Sequence, residues 1–280
     1  MEDSSVGDAV GAWFDRDVIR AAGPDAARFL QGQLSQDVEG LRSGVAAWSL
    51  LLDPSGKLVA WVRVLRVGEE EFLIDCDAGW AETVLARLER FKIRVSCDFE
   101  ILAGRRMLSV RGVDIADANA GPDGVVLPAA GTTIGVVGYD VVGTDPIAPD
   151  GLTIDADAVE AQRIVRGVPA MGAELDDTVI PAEMGVWFVE ESVSWTKGCY
   201  TGQELVARVD SRGSNTPRHL RSVALTAPAR PGDELVDAGG KAVGEVTSVF
   251  GTDALARVAR SVVPPESVTV AGHPAEVREI

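Results

Sequence analysis

The chain has 280 residues and a mass of 29.5 kDa; 46% of its residues are hydrophobic and 25% charged, which excludes a disordered or fibrous protein. That length suits two modest domains or one large one. A formal net charge of -17 repels phosphate backbones and argues against direct binding of nucleic acid. Its acids are dispersed, as on a solvated surface.

No run approaches the ~20 apolar residues of a bilayer span. The opening "MEDSSVGDAV" is acidic where a secretory signal is basic. A cytoplasmic protein with no membrane partner is therefore expected. Cys76, Cys97 and Cys199 show no CxxC spacing, as fits reduced thiols rather than a disulfide framework or a zinc site. Cys76 and Cys97 fall in strand-like stretches, "EFLIDCD" and "IRVSCDFEI", and read as inert core residues.

In chain order, "GPDAARFLQGQL" predicts a helix from about residue 24, with Phe29, Leu30 and Leu34 at helical spacing behind Pro24 and Asp25. "AAWSLLLDPSGKLVAWVRVLRV" then predicts two strands joined by a tight turn at Pro54, Ser55 and Gly56. "EFLIDCD" is a further strand. "GWAETVLARLERF" is an amphipathic helix with Val84, Leu85, Leu88 and Phe91 on one face, and "IRVSCDFEIL" a strand after it. "RRMLSVRG" starts another strand, and Gly112 to Gly131 reads as a long loop. "TTIGVVGYDVVG" is a strand interrupted by glycines, and "DADAVEAQRIVRG" a helix capped by Asp155 and closed by Gly167. From Arg218 onward the pattern is short strands between turns, a small β-barrel-like domain. The polar tract "DSRGSNTP" divides residues 1–216, an α+β region of two subdomains, from residues 217–280, the barrel.

The chemistry centres on "WTKGCYTGQE", Trp195 to Glu204. Lys197 two residues before Cys199 and a helix opening at "TGQELVARV" would both lower a thiol pKa. The bland alternative is a small residue buried in a glycine turn, with Gly198 and Gly202 supplying unusual backbone angles. The only histidines, His219 and His273, lie in the β-rich tail, and nothing pairs either with Cys199 as a Cys-His dyad would require. Glycines 131, 135 and 138 do not form a dinucleotide fingerprint, because strand-like "YDVV" follows where a helix should open. GxxxxGK[ST] and HExxH are absent. Trp195 could stack on a flat ligand or pack in the core.

"KGCYTGQE", followed by "VAR" and "RG" and preceded by "RIVRGVPAMGAELDDTVIPAE", resembles the YgfZ family of folate-binding proteins, relatives of the glycine-cleavage T-protein (GcvT) and of the mitochondrial iron-sulfur assembly factor IBA57. "FLQGQLSQDV" and "LLDPSGKLVAWVRV" extend the resemblance over most of the chain. It implies an α+β cloverleaf of two ferredoxin-like units and a C-terminal β-barrel around a central folate cavity. It also implies tetrahydrofolate or a derivative as cofactor, iron-sulfur client proteins as partners, and an effect on tRNA modification through one such client.

By the same resemblance Cys199 is the functional residue with Lys197 beside it, and Arg163, Glu183, Trp195, Tyr200, Gln203 and Glu204 are the residues for the folate. Where T-proteins read "LRLEAG", with a glutamate that holds the pterin, this chain reads "QRIVRG": Arg163 is kept and Val165 replaces the acid. The stretch after Gly56, where T-proteins carry a catalytic aspartate, reads "KLVAWV" with no carboxylate. Aminomethyl transfer needs an acid at the reacting nitrogen, so glycine cleavage is disfavoured. Glu183 or Glu204 are the carboxylates left to meet the pterin N–H donors. A folate-binding factor in iron-sulfur assembly or repair, and a folate-dependent one-carbon transferase or demethylase, both fit the sequence. In either, the Cys199 sulfur is expected to face the pterin cleft.

Overall fold

A computed structural model describes residues 9–280 except 116, 117, 122 and 214. The acidic N-terminal stretch, part of the glycine-rich loop and Ser214 of the boundary tract lie outside the described residues. The organising element is β1 (Val10–Ala22), a strand of 13 residues whose Asp15-Arg16-Asp17 core breaks any clean apolar alternation, so no period marks it in the sequence.

Helix α1 (Ala26–Gln33) follows, then the hairpin β2 (Ala46–Leu52) and β3 (Leu58–Arg66), β4 (Glu71–Asp77) and α2 (Ala81–Phe91), all as expected. The strand after α2 is shorter than its apolar run, since Arg94 takes a positive φ of 55° and β5 (Asp98–Leu102) starts just after Cys97. Next come β6 (Arg106–Arg111), β7 (Val125–Pro128) inside the stretch expected to be a loop, and β8 (Gly138–Gly143). The "TTI" before β8 is a 3-10 turn flanked by left-handed glycines, 131 and 135.

A short β9 (Thr153–Ile154) leads into α3 (Ala156–Val165), capped by Asp155 Oδ1, which accepts from the Ala158 N–H at 2.9 Å. Helices α4 (Val186–Ser192) and α5 (Gln203–Asp210) precede the tail. Among the described residues no helix is long and apolar enough to cross a membrane.

The strands of the α+β region form one nine-stranded sheet rather than two separate ones. β1 is common to both blocks: its first half, Val10 to Asp15, pairs with β6, and its second half, Arg16 to Ala22, pairs with β4. Seven strands run in the order β2-β3-β4-β1-β6-β8-β7, and the other two, β5 and β9, each pair with β1 off this path. In a flat sheet β3 and β8 would lie about 19 Å apart. Here Arg63 Nη1 on β3 reaches Asp140 Oδ2 on β8 at 2.5 Å, so the sheet curls until its ends nearly meet. The convex side holds the core of α1 and α2 against Ala60, Val62 and Val64. On the alternate face Trp61 and Arg63 point inward.

Residues 218–278 form a closed barrel, β10 (Arg218–Leu225), β11 (Glu234–Val236), β12 (Ala242–Phe250), β13 (Asp253–Ala259), β14 (Glu266–Val270) and β15 (His273–Arg278), joined in the order β10-β13-β12-β11-β14-β15. Closure by the β10–β15 pair leaves no free edge. Leu220 and Leu255 share a core with Val179, Phe188, Val206 and Val209, which ties the barrel to α4 and α5.

Candidate functional site

A cavity of about 870 Å³ lies inside the curled sheet, closed by α3, the 168–173 loop and Ser248 from the barrel. Its floor follows from strand register. Arg16 stands opposite Asp77, Arg63 opposite Asp75, and Ser109 opposite Asp140. Arg63, Asp75, Ser109 and Asp140 each have apolar neighbours on both sides in their strands, and pairing in register delivers them, with Arg16 and Asp77, to one interior face.

Together they make a continuous charge lattice. Arg16 grips Asp75 with two N–H donors, each at 2.9 Å, and also pairs with Asp77. Arg63 donates to Asp75 at 2.7 Å and to Asp140 at 2.5 Å, while Arg111 donates to Asp140 Oδ1 at 3.0 Å. Burial alone would push Asp140 up, but the Arg111 and Arg63 guanidiniums and the Ser109 hydroxyl outweigh it and pull the carboxyl down to about 2. Asp75, equally buried, is lowered by Arg16 and Arg63. These acids are held ionised and are unsuited to giving up a proton.

Above the floor stands a flat wall. Trp48 and Trp61 stack with centroids 4.0 Å apart and planes 25° from parallel, with Arg63 4.8 Å over the Trp48 ring. Phe14, Met107, Met171 and Val136 complete the apolar lining. Asp77, with 35% of its side chain exposed, offers the floor's most accessible carboxylate; its Oδ2 accepts from the Met171 N–H at 3.0 Å. Val165 and Arg166 sit at the exposed end of α3 in the same lining.

The residues expected to act together are divided. Arg163 lines the cavity, yet all its guanidinium N–H groups have protein partners: Glu160 at 2.8 and 2.7 Å, Val168 O at 2.8 Å, Glu174 at 3.0 Å and Ser248 at 2.7 Å. It locks α3 to the barrel and has no donor left for a ligand. Glu183 lies in a buried 3-10 turn facing β13, 3.4 Å from Arg257, with its carboxyl raised by burial, and lines neither the cavity nor the motif groove.

Trp195, Lys197, Tyr200, Gln203 and Glu204 do come together, around a separate surface groove of about 600 Å³ that shares no lining residue with the central cavity. Cys199 is exposed in the same loop and is not part of the cavity lining. The expectation that its sulfur faces the pterin cleft is corrected on this point: the thiol looks outward. By contrast Cys76 and Cys97 are buried, and burial raises both thiols, Cys97 to about 11.

Helix α1 explains the loop. Its last carbonyls lack intrahelical partners, and the loop supplies them. Lys197 Nζ donates to Gln31 O and Leu34 O, each at 2.5 Å, and to Gln36 O at 3.0 Å, while the Thr201 N–H donates to Gly32 O at 3.0 Å. Burial draws Lys197 down to about 8, so at pH 7 it is still an ammonium with its three donors used on carbonyls. It holds the loop rather than the sulfur. Burial likewise raises the Tyr200 phenol to about 12. The Gln203 side chain accepts the Tyr200 N–H at 3.1 Å and fixes the entry to α5.

The two glycines flanking Cys199 differ. Gly202 has φ +85°, and a Cβ there would lie 2.6 Å from Asp53 O and 3.1 Å from Gly56 Cα. It is the contact that seats the loop on the β2–β3 hairpin. Gly198 has no left-handed φ, and a Cβ on it would meet nothing within 4 Å.

Comparison with known proteins agrees with this architecture. Residues 218–279 match the CAF17 C-terminal beta-barrel domain. An iron-sulfur cluster assembly factor IBA57 homolog, mitochondrial, from Neurospora crassa is 29% identical over 240 residues, covering 77% of this chain and 54% of that protein. The tRNA-modifying protein YgfZ of Edwardsiella ictaluri is 26% identical over 224 residues, covering 70% of this chain and 65% of its own length. The crystal structure of the glycine cleavage system aminomethyltransferase T from Bartonella henselae superposes with a TM-score of 0.76 over 98% of this chain and 87% of that one, at 18% identity, a likeness of fold. The chain is thus similar in sequence to IBA57 and YgfZ proteins and in fold to the aminomethyltransferase T.

The likeness does not extend to length, since the chain spans just over half of the Neurospora relative. The charge lattice of the cavity carries no motif and was beyond sequence reasoning. Its one signal is a charge set between apolar neighbours within a strand: Arg63 in "WVRVL", Asp75 in "LIDC" and Asp140 in "GYDVV".

Proposed function

We propose that the chain binds tetrahydrofolate or a derivative in its central cavity and assists iron-sulfur cluster assembly or repair in client proteins, with Cys199 as the thiol that meets the client. The observation that carries this reading is the cavity itself. A slot of about 870 Å³ with an indole wall and a floor of fixed charges suits a flat heteroaromatic ring with hydrogen-bonding edges. The names of the IBA57 and YgfZ relatives supply the cluster-assembly and tRNA-modification setting.

In this reading the Trp48–Trp61 pair lies along the pterin face and Asp77 accepts from its N–H edge, the role that neither Glu183 nor Glu204 can take from where they sit. Arg111 and Arg166, both in the lining, meet the anionic end of the folate. A bound folate would supply one-carbon or redox capacity. The chain's own groups orient it and exclude water. Because Asp75 and Asp140 are pinned as anions by arginines, the aminomethyl-transfer alternative has no acid among them to work with.

Among the described residues no three His, Cys, Asp or Glu side chains are grouped to hold a metal ion, so Cys199 offers at most one ligand and a client must provide the others. The unpaired cysteines suit a reducing compartment such as the cytoplasm.

Calorimetric titration with tetrahydrofolate tests the cavity: wild type binds and gains thermal stability, and Asp77→Ala binds at least about tenfold more weakly. No binding heat and no thermal shift with wild type would end the folate reading. Cys199→Ser should keep the fold and folate affinity yet lower iron-sulfur enzyme activity in cells lacking the native protein. Full rescue by that variant would remove the thiol from the mechanism.

A further inference from the structure

The groove beside Cys199 has features that a folate site in the central cavity leaves unexplained. Trp195 is 50% exposed, whereas Trp48 and Trp61 are almost fully buried. On one side of it lies the hollow lined by Gly198, Tyr200, Gln203, Glu204, Ala207 and Arg208, and on the other a small apolar pocket of about 70 Å³ formed by α4, α5 and the 180–182 turn. Val186, 59% exposed, lies in the second pocket. The groove borders α5, a helix about 12 Å long, and opens to the surface.

Its rim is acidic. Glu190, Glu204 and Asp210 are exposed, and among the described residues none of them is in an ion pair; of the two basic side chains lining the groove, Lys197 is bound to the carbonyls at the end of α1 and only Arg208 is exposed. Small residues keep the floor low: a Cβ on Gly198 would touch nothing, and Ala207 is exposed. An apolar centre ringed by unpaired carboxylates is complementary to a segment with apolar anchors and basic flanks.

We infer that this groove docks a basic, apolar-anchored segment of a partner protein, seating it over Trp195 beside the exposed Cys199 thiol. Trp195 is the central anchor, and the acidic rim selects against acidic chains and speeds encounter. The inference goes beyond the folate reading and stands without it, because the two sites share no residue.

Fluorescence polarisation with a labelled Leu/Lys peptide and its Leu/Glu counterpart provides the test. Wild type should bind the Leu/Lys peptide in a salt-sensitive manner and ignore the Leu/Glu peptide. Trp195→Ala and Ala207→Arg, both at exposed positions, should each weaken binding by about tenfold or more. The double variant Glu204→Gln, Asp210→Asn should weaken it by about threefold and flatten its salt dependence. Tetrahydrofolate titrations of the same proteins should be unchanged, which separates failure of the groove from failure of the cavity. If both peptides bind alike, or if Ala207→Arg binds the Leu/Lys peptide as tightly as wild type, the docking groove is refuted.

Discussion

The central cavity and the Cys199 loop are both built from polar groups, yet they solve opposite problems. In the cavity, charges are taken out of water and each must be answered by another: Arg16, Arg63 and Arg111 alternate with Asp75, Asp77 and Asp140 across the curled sheet. In the loop, charge stays near the surface, and one ammonium closes the end of a helix so that a thiol can be held outward. The first arrangement is rigid and preorganised for a small ring. The second is a presentation device for something as large as a protein.

The sharpest way to break the contrast is to remove one member of each. Asp75 is shared by Arg16 and Arg63, so Asp75→Asn leaves two buried guanidiniums short of their counter-charge. A loss of about 3–5 kcal/mol is expected in urea unfolding. Cys199→Ser, at an exposed position, should stay within about 0.5 kcal/mol of wild type. Equal losses would mean that the cavity lattice is no more integral to the fold than the loop.

Acid provides a finer probe of the cavity side. Asp140 titrates at about 2 in the folded protein, against about 3.9 when unfolded. A lowered folded pKa stabilises above the unfolded value, so about 2–3 kcal/mol is present above pH ~4 and is lost as pH falls toward 2. Asp75, also lowered, acts in the same direction. The acid limb of the stability curve should therefore be steep, and Asp140→Asn should make it shallower. An unchanged limb would show that other carboxylates set the acid transition.

Much of the scaffold was legible because it rests on local signals. Turn chemistry at Pro54–Gly56, the Asp155 cap, the 3.6-residue period of α2 and the short strands after Arg218 all correspond to observed elements. β1 escaped because its pairing is non-local and its centre is charged, and what looks like two α+β blocks is one sheet for the same reason. The motif "KGCYTGQE" was visible, but its division of labour was not. That Lys197 serves α1 and Arg163 serves the barrel depends on partners more than 80 residues away in sequence. Spacing within a motif carries no information about which of its side chains face inward.

The smallest expected effect bears on why the loop has two glycines. Gly202 is required twice over, by its left-handed φ of +85° and by its contact with Asp53 O and Gly56 Cα, so Gly202→Ala must either shift the hairpin or strain the loop. A cost of about 1–3 kcal/mol follows, with faster proteolysis of the loop. Gly198 has neither constraint. Gly198→Ala should leave urea stability within about 0.5 kcal/mol of wild type, or raise it slightly by restricting the unfolded chain. If Gly198→Ala is neutral in stability yet weakens Leu/Lys peptide binding, then this glycine is small for the sake of what docks over it, and the loop's two glycines divide as the two regions do, one for the fold and one for the partner.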